Sequence, residues 1–526
     1  MMKKPVITIF SILLLVFLQT SAKGQWNVHW SVMFDYTNHS AERTELLIPD
    51  PTGGVFCIGY TIPPQQQKSD LLILKYDDAG SLLWSEVYTR SGDRNERPHG
   101  AVVDHAGNLI VTGEGFDVNN VADVLLLKYS SSGQLMWEDS IDGTSGAYDR
   151  GSSVCVDDSD NVYVTGYLYN GTFKGYLAKY SPAGMPMYLT VIPTLQHGHH
   201  VRFDNNFIYL YGITGVSGSP YHTQILKLDR NGSTLSSYTI NDANDNHIAE
   251  MIRDNDRMYL LDIRGGGSSG LTTYGIHCLD SNLTYQWKNY HSSSMDLNAQ
   301  GMVMYDSSLY VATSEWNGSM SFQLTCGISR ISKADGSLTS QVPVIAGSSL
   351  YGYIFNQVVD SAGVISVAFL PNANPSGNGV KYLTRFDAGL QPLGLLALPD
   401  SMTYGDISIY QKDNHTIYYF GTAWDTVGGN EDFLLYKLSD LAVGTAELID
   451  DRVLQVFPNP FTESVTLKTT SSTMVDWQIS DMHGRLLVEG HTSGEQHIDL
   501  HSLASGMYLL NCREQGVART VKIIKQ

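Results

Sequence analysis

The chain has 526 residues, 42% hydrophobic and 16% charged, with 49 glycines and 31 tyrosines, a composition suited to a large core of strands and tight turns. Its 33 basic and 53 acidic residues leave a net charge of −20, which makes a nucleic-acid backbone a poor partner. The acids are scattered among turns and form no long run, as expected of groups that serve solubility.

The first predicted element is an export signal. Lys3 and Lys4 precede an apolar run from Val6 to Leu18, and small residues follow at Thr20-Ser21-Ala22 and at Gly24. This order predicts a secretory signal peptide over residues 1–24, cleaved near Ala22 or Gly24. The apolar run is shorter than the roughly 20 residues of a membrane span, so no transmembrane segment is expected after cleavage. The next element, "WNVHWSVMFDY" from Trp26 to Tyr36, reads as a strand with no partner beside it in sequence.

A repeat then begins. "LILKYDDAGSLLW" starts at Leu72 and "LLLKYSSSGQLMW" at Leu125, with Lys-Tyr, Gly and Trp at the same offsets. The anchor position recurs as Lys75, Lys128, Lys179, Lys227, Cys278, Arg330, Arg385 and Lys437, at steps of 53, 51, 48, 51, 52, 55 and 52. Eight anchors at a steady period mark an array of supersecondary units. A second motif keeps phase with it, including "GNLIVTGEG" at Gly107 and "DNVYVTGYL" at Asp160. In the second unit four strands can be read: "HGAVVDHAG", "NLIVTGEG", "DVLLLKYSSSG" and "QLMWEDSIDG". Four short antiparallel strands per unit, without any helical periodicity, predict an all-β propeller of eight four-stranded blades over residues 26–440. The eighth unit stops after three strands, so the orphan strand at Trp26 is predicted to complete it and close the ring. Trp26 to Asp440 is 415 residues, about 52 for each of eight blades. The units resemble β-propeller repeats of the SBBP type, a family described as seven-bladed, whereas eight are counted here.

Residues 441–451 read as a linker. From Arg452 to Gln526, seven short strand-like runs predict a small Ig-like β-sandwich. "FPNP" at Phe457–Pro460, "DMHGRLL" from Asp481 and "LASGMYLL" from Leu503 carry a second resemblance. With the basic end at Lys522 and Lys525, they resemble the type A C-terminal sorting domain of the type IX secretion system of Bacteroidetes. The resemblance implies a sorting signal that includes Pro458, Asn459, Pro460, Gly484, Gly506, Tyr508, Lys522 and Lys525. It also implies the type IX machinery as partner, and passage through the periplasm to the outside or the outer cell surface, with release or attachment to follow. An ordinary appended sandwich for carbohydrate or protein binding is the alternative.

The five cysteines are far apart, each in an apolar run, and are read as buried thiols. Loops leading into the innermost strands of a propeller gather at one mouth of its channel. The candidate ligand-binding residues there are Arg43, Arg97, His99, Arg150, His199, His247, Tyr351 and Tyr404. Glu45, Glu96, Tyr148, Asp149, His200, Asn298, Tyr353 and Asp406 lie beside them. "HGHH" at His197–His200 invites a metal, but His199 and His200 point apart on a strand, and no metal is assigned. "DDSDN" at Asp157–Asn161 lacks the glycine and distal glutamate of a calcium loop and is read as a hairpin turn. No cofactor is implied, since the adjacent cysteines and greater length of quinone-dependent propeller dehydrogenases are missing. No GxSxG, HExxH or Walker-type motif is present, and no catalytic residue is assigned. The expected function is non-catalytic binding of a polysaccharide, surface component or protein outside the cell. A secreted hydrolase or lyase acting on polymers at the channel mouth is the alternative.

Overall fold

The computed structural model describes residues 26–36, 40–64, 68–90, 95–116, 119, 121–143, 146–215, 221–241, 246–265, 272–293, 296–316, 324–344, 352–371, 381–398, 407–424, 431–439, 454–457, 461–469, 475–481, 486–504, 506–514 and 517–525. Every regular element among them is a strand, and no helix is long and apolar enough to cross a membrane. The chain divides into two compact units, Met1–Asp440 and Leu441–Gln526. The export signal and the linker of the sequence reading lie outside the described residues.

The first unit is an eight-bladed β-propeller. Blade two consists of Glu96–Val103, Leu109–Phe116, Ala122–Tyr129 and Leu135–Ile141, paired antiparallel in chain order. Seven blades follow that order. The eighth takes Ser408–Asp413, Thr416–Trp424 and Glu431–Ser439, then receives Asn27–Phe34 as its outer strand. Asn27 lies opposite Ser439 and Phe34 opposite Phe433, so the two ends of the propeller are stitched together as predicted. Val55, Cys57, Leu72 and Leu74 of blade one share a buried cluster with Tyr418, Phe420, Phe433 and Leu435 of blade eight.

The apolar runs follow from position in the blade. Third strands such as Asp70–Tyr76 are buried along their whole length, because a neighbouring blade covers each face. Fourth strands such as Leu82–Tyr88 are largely exposed, which explains why their sequences carry charge and serine. All five cysteines are buried thiols outside any disulfide.

The repeated lysine of the third strand is neither a surface group nor part of a site. Lys75 Nζ meets Asp50 Oδ2 of its own blade at 3.0 Å and donates to Ser131 O, in the outer turn of blade two, at 3.1 Å. Lys128 repeats this with Asp104 at 2.8 Å and Pro182 O of blade three at 3.1 Å. Lys179 donates to Arg230 O, Lys227 to Ser281 O, and Lys437 carries the pattern across the closing seam to Asp78 O. The tryptophan of the motif reaches the same carbonyl: Trp84 Nε1 to Ser131 O, Trp137 Nε1 to Pro182 O and Trp30 Nε1 to Asp78 O. The motif glycine completes the joint. Gly133 has φ of 89°, and a Cβ there would lie 2.8 Å from the Trp84 ring, so only glycine fits. In blades one, two and eight, lysine, tryptophan and the glycine of the next blade thus form a latch to that blade's outer turn, and in blades three and four the lysine makes the bond without the tryptophan. Where the lysine is lost, others substitute: Tyr259 donates to Lys333 O beside Cys278, and Tyr310 to Ala388 O beside Arg330. Blade eight has no third-to-fourth turn, and there the Arg385 guanidinium stacks 4.1 Å over Trp26, at the start of the closing strand.

The second unit is the expected small sandwich. Leu454–Phe457, Ser464–Thr469 and Glu495–Asp499 make one sheet. Leu486–Thr492, Val475–Asp481, Gly506–Glu514 and Val517–Lys525 make the other, in that spatial order. Phe461, Leu467, Trp477, Ile479, Leu510 and Ile523 are part of its core. Gly506 opens a strand, and Tyr508 donates to Ala504 O at 2.7 Å. Lys525 is buried, its ammonium donating to Leu500 O and His501 O at 2.7 and 2.8 Å. Pro458, Asn459, Pro460 and Gly484 lie outside the described residues, and the Lys522 side chain is not described.

Candidate ligand-binding site at the channel mouth

The innermost strands of blades one to seven share one irregularity. Each contains a bulge near its start, at Glu45, His99, Ser152, His199, Ala249, Gln300 and Phe355. A bulge leaves one residue out of the ladder and bends the strand, which re-aims the side chains before it. Two positions earlier the blades place Arg43, Arg97, Arg150, His197, His247, Asn298 and Tyr353. Five successive blades therefore present a cation or imidazole at one register position. Arg43 and Arg97 are exposed between buried neighbours, so they point out of their blades.

The second strand of each blade supplies the residue opposite. Arg43 faces Tyr60, Arg97 faces Glu114 and Arg150 faces Tyr167. Arg43 Nε is 2.9 Å from Glu431 of blade eight, and the Arg97 guanidinium lies 5.3 Å over the Tyr60 ring. Glu114 stands 3.7 Å from His99 Nε2, an ion-pair distance rather than a hydrogen bond. Burial works against the Glu114 charge, but His99, Arg150 and Arg97 together hold the carboxyl below its usual range. Burial lowers His99, and the Arg150 and Arg97 charges add to this against Glu114. His197 packs 4.4 Å from the Tyr167 ring and 5.1 Å from Phe173. Burial, aided by His197, His200, His247 and Arg150, pushes His199 down to about 4. Burial likewise lowers His247. The arc therefore carries fixed charge on its arginines and neutral imidazoles at neutral pH.

Of the sequence candidates, Arg97 and Arg150 act on His99, and Arg150 and His247 act on His199, so a chain of neighbours runs across blades two to five. Arg43 extends the row through Tyr60. Tyr351 and Tyr404 lie outside the described residues. The sequence reading passed over His197, which holds the register place of the arginines, while His199 holds the bulge. Glu114, opposite Arg97 on the second strand, is not among those candidates. His200, just after the bulge, stacks 4.9 Å from Tyr211. Asp157 accepts from Ser159 N and Asn161 N at 2.9 Å each, so "DDSDN" is the hairpin turn it was read to be.

Carboxylates one position before the arginines are buried: Glu42, Glu96 and Asp149. Asp149 accepts from Gly143 N and Tyr169 N, and Glu42 from the Ser40 and Thr61 hydroxyls, so both fasten the entry to their strand. Two trios bring one oxygen each within 4.8 Å and are the described groups whose donors could hold a cation: Asp35, Glu42, Asp432 and Asp123, Asp142, Asp149. Burial pushes the Glu42 carboxyl up to about 7, and the Asp432 and Asp35 charges add to it. A folded-state pKa above the unfolded value stabilises the fold at low pH, and that contribution is lost as pH rises through about 7. Relative to the native chain, Glu42→Gln is expected to gain on the order of 2 kcal/mol between about pH 5 and about pH 8. Denaturant unfolding at the two pH values measures this, and a difference independent of pH would contradict it.

At the opposite ends of the strands, the turns of blades five and six line a cavity of about 780 Å³ that includes Asp254, Arg257, Arg330 and Lys333. None of the sequence candidates lies there.

Residues 455–526 match the family described as secretion system C-terminal sorting domain. The tail marks the chain for secretion or the cell surface and implies contact with the secretion machinery. No curated protein sequence matches the chain. Among solved structures, the quinohemoprotein alcohol dehydrogenase from Comamonas testosteroni is similar at 11% identity, over 83% of this chain and 79% of that one, with a TM-score of 0.49. A protein of unknown function from Dyadobacter fermentans is similar at 12% identity, over 79% and 99%, with a TM-score of 0.39. The WD40 domain of SCAP from fission yeast is similar at 10% identity, over 79% and 98%, with a TM-score of 0.43.

Proposed function

We propose that the protein leaves a Bacteroidetes-type cell through type IX secretion, and that its propeller is a non-catalytic binding module. Its ligand, a polysaccharide, surface component or protein, seats at the channel mouth. The repeats are of the SBBP type, extended to eight blades. The observation that carries the binding reading is the row of Arg43, Arg97, Arg150, His197 and His247, held at one register position of successive innermost strands. Such regularity on a latched ring supplies a rigid, repeated array of donors, which suits a ligand with repeated features. Glu114 belongs to the same arrangement: its carboxyl, opposite Arg97 and near His99, is held ionised and helps to position the cations of the row. A screen of the secreted protein against glycans and cell-surface extracts tests the reading. Capture that weakens when the row is altered is the expected result, and no capture from either source would contradict it.

A further inference from the structure

Resting on that binding reading, we infer that the ligand is an acidic polysaccharide, whose carboxylate or sulfate groups are taken by Arg43, Arg97 and Arg150. Three properties of the mouth point to this chemistry. The first is the donor set. A guanidinium presents a planar fork of N–H groups that matches a carboxylate or a sulfate bidentately, and it does not titrate. Each of these arginines is steadied from one side, by Glu431, by the Tyr60 ring, or by the Tyr167 and Glu114 side of blades two and three. Arg150 also buries its Nε without a hydrogen-bond partner among the described residues. The donors are therefore set in place before a ligand arrives, which lowers the entropy cost of binding.

The second property is the setting. On a chain of net charge −20, three consecutive blades place an arginine at the same register position, at steps of 54 and 53 residues. The overall charge opposes a polyanion at long range. Beyond roughly 8 Å salt screens that repulsion, so contact groups decide what stays bound. The third is what lies between the cations. Neutral His197, His199 and His247 can each donate and accept, as sugar hydroxyls require. Tyr148, two residues before Arg150, is 52% exposed, and Phe173 is 39% exposed beside His197, which leaves aromatic surface next to the row for the apolar side of a sugar. Open rings and neutral imidazoles among arginines favour a saccharide over an acidic peptide.

The secreted full-length protein is to be tested against polygalacturonate, dextran sulfate, neutral dextran and poly-glutamate. The acidic polysaccharides are expected to bind and neutral dextran to fail. The triple variant Arg43→Gln, Arg97→Gln, Arg150→Gln is expected to lose roughly ten- to hundredfold in affinity, and Arg257→Gln, at the opposite strand ends, to lose nothing. Preference for polygalacturonate or for dextran sulfate identifies carboxylate or sulfate as the natural group. Arg43→Gln alone replaces a side chain that is 54% exposed, and its several-fold loss is the readout should the triple variant fail to fold. Equal capture of neutral dextran, undiminished in the arginine variants, would overturn the charge assignment and leave the binding reading intact. Poly-glutamate bound as tightly as the polysaccharides would overturn the saccharide assignment. Absence of every ligand, surface extracts included, would remove the binding reading itself.

Discussion

A chain lacking Trp26–Tyr36 is expected to lose its cooperative unfolding transition or to melt far below the native protein. The deleted segment supplies the whole outer strand of blade eight, paired from Asn27 to Phe34 against Glu431–Ser439. Each backbone hydrogen bond of that ladder contributes about 0.5–1.5 kcal/mol net. Trp26, which is buried, stacks on Arg385, and Trp30 covers Gly80 and donates to Asp78 O, so both seam contacts disappear with the strand. Burial of one large side chain alone contributes about 2–3 kcal/mol, and a domain has roughly 5–15 kcal/mol to lose. Trp26→Ala, a milder change at the same joint, is expected to cost about 3–5 kcal/mol. Thermal or denaturant unfolding of both variants checks the closure. A deletion that melts like the native chain would show that the seam carries no stability.

Deleting Arg452–Gln526 is expected to abolish appearance of the protein outside the cell while leaving the propeller folded. The removed residues hold the matched sorting domain, with its own core around Trp477, Ile479 and Leu510. The propeller is a compact unit without them. The truncated protein should collect in the periplasm with an unchanged unfolding transition. Fractionation and immunoblotting read the first outcome, and unfolding of the recovered protein reads the second. Normal export of the truncation would break the link between the tail and secretion.

Much of the ring was legible in the sequence because its signals are local. Asp or Ser, followed by Gly in about half of them and by Asn or Asp in most others, marks the hairpin turns, the repeated anchor position counts the blades, and a missing fourth strand at one end matches an orphan at the other. What the anchors do was not legible. Lys75 and Ser131 are 56 residues apart, and nothing in either stretch says that the outer turn of one blade docks on the third strand of the blade before it. The motif first met as a repeat marker is the fastening that makes the ring one body.

At the mouth, the sequence found most of the row but blurred its register. A bulge shifts strand alternation by one residue, so His197 and His199, both near the right place, could not be separated by counting. The burial of the acids was hidden for another reason. Glu42 and Asp149, the second of them placed beside the mouth candidates, stand in polar strand entries that read as surface, and only the folded chain shows the N–H and hydroxyl groups that turn inward to meet them. The partner of Glu114 was equally hidden, since His99 comes from the adjacent strand and Arg150 from the next blade.

The most direct test of a non-catalytic mouth is to incubate the secreted protein with cell-surface polysaccharide and to analyse both the bound fraction and the chain length of the recovered polymer. The expected result is capture that depends on Arg43, Arg97 and Arg150, with polymer of unchanged length. Shortened polymer, or capture indifferent to those three arginines, would contradict it.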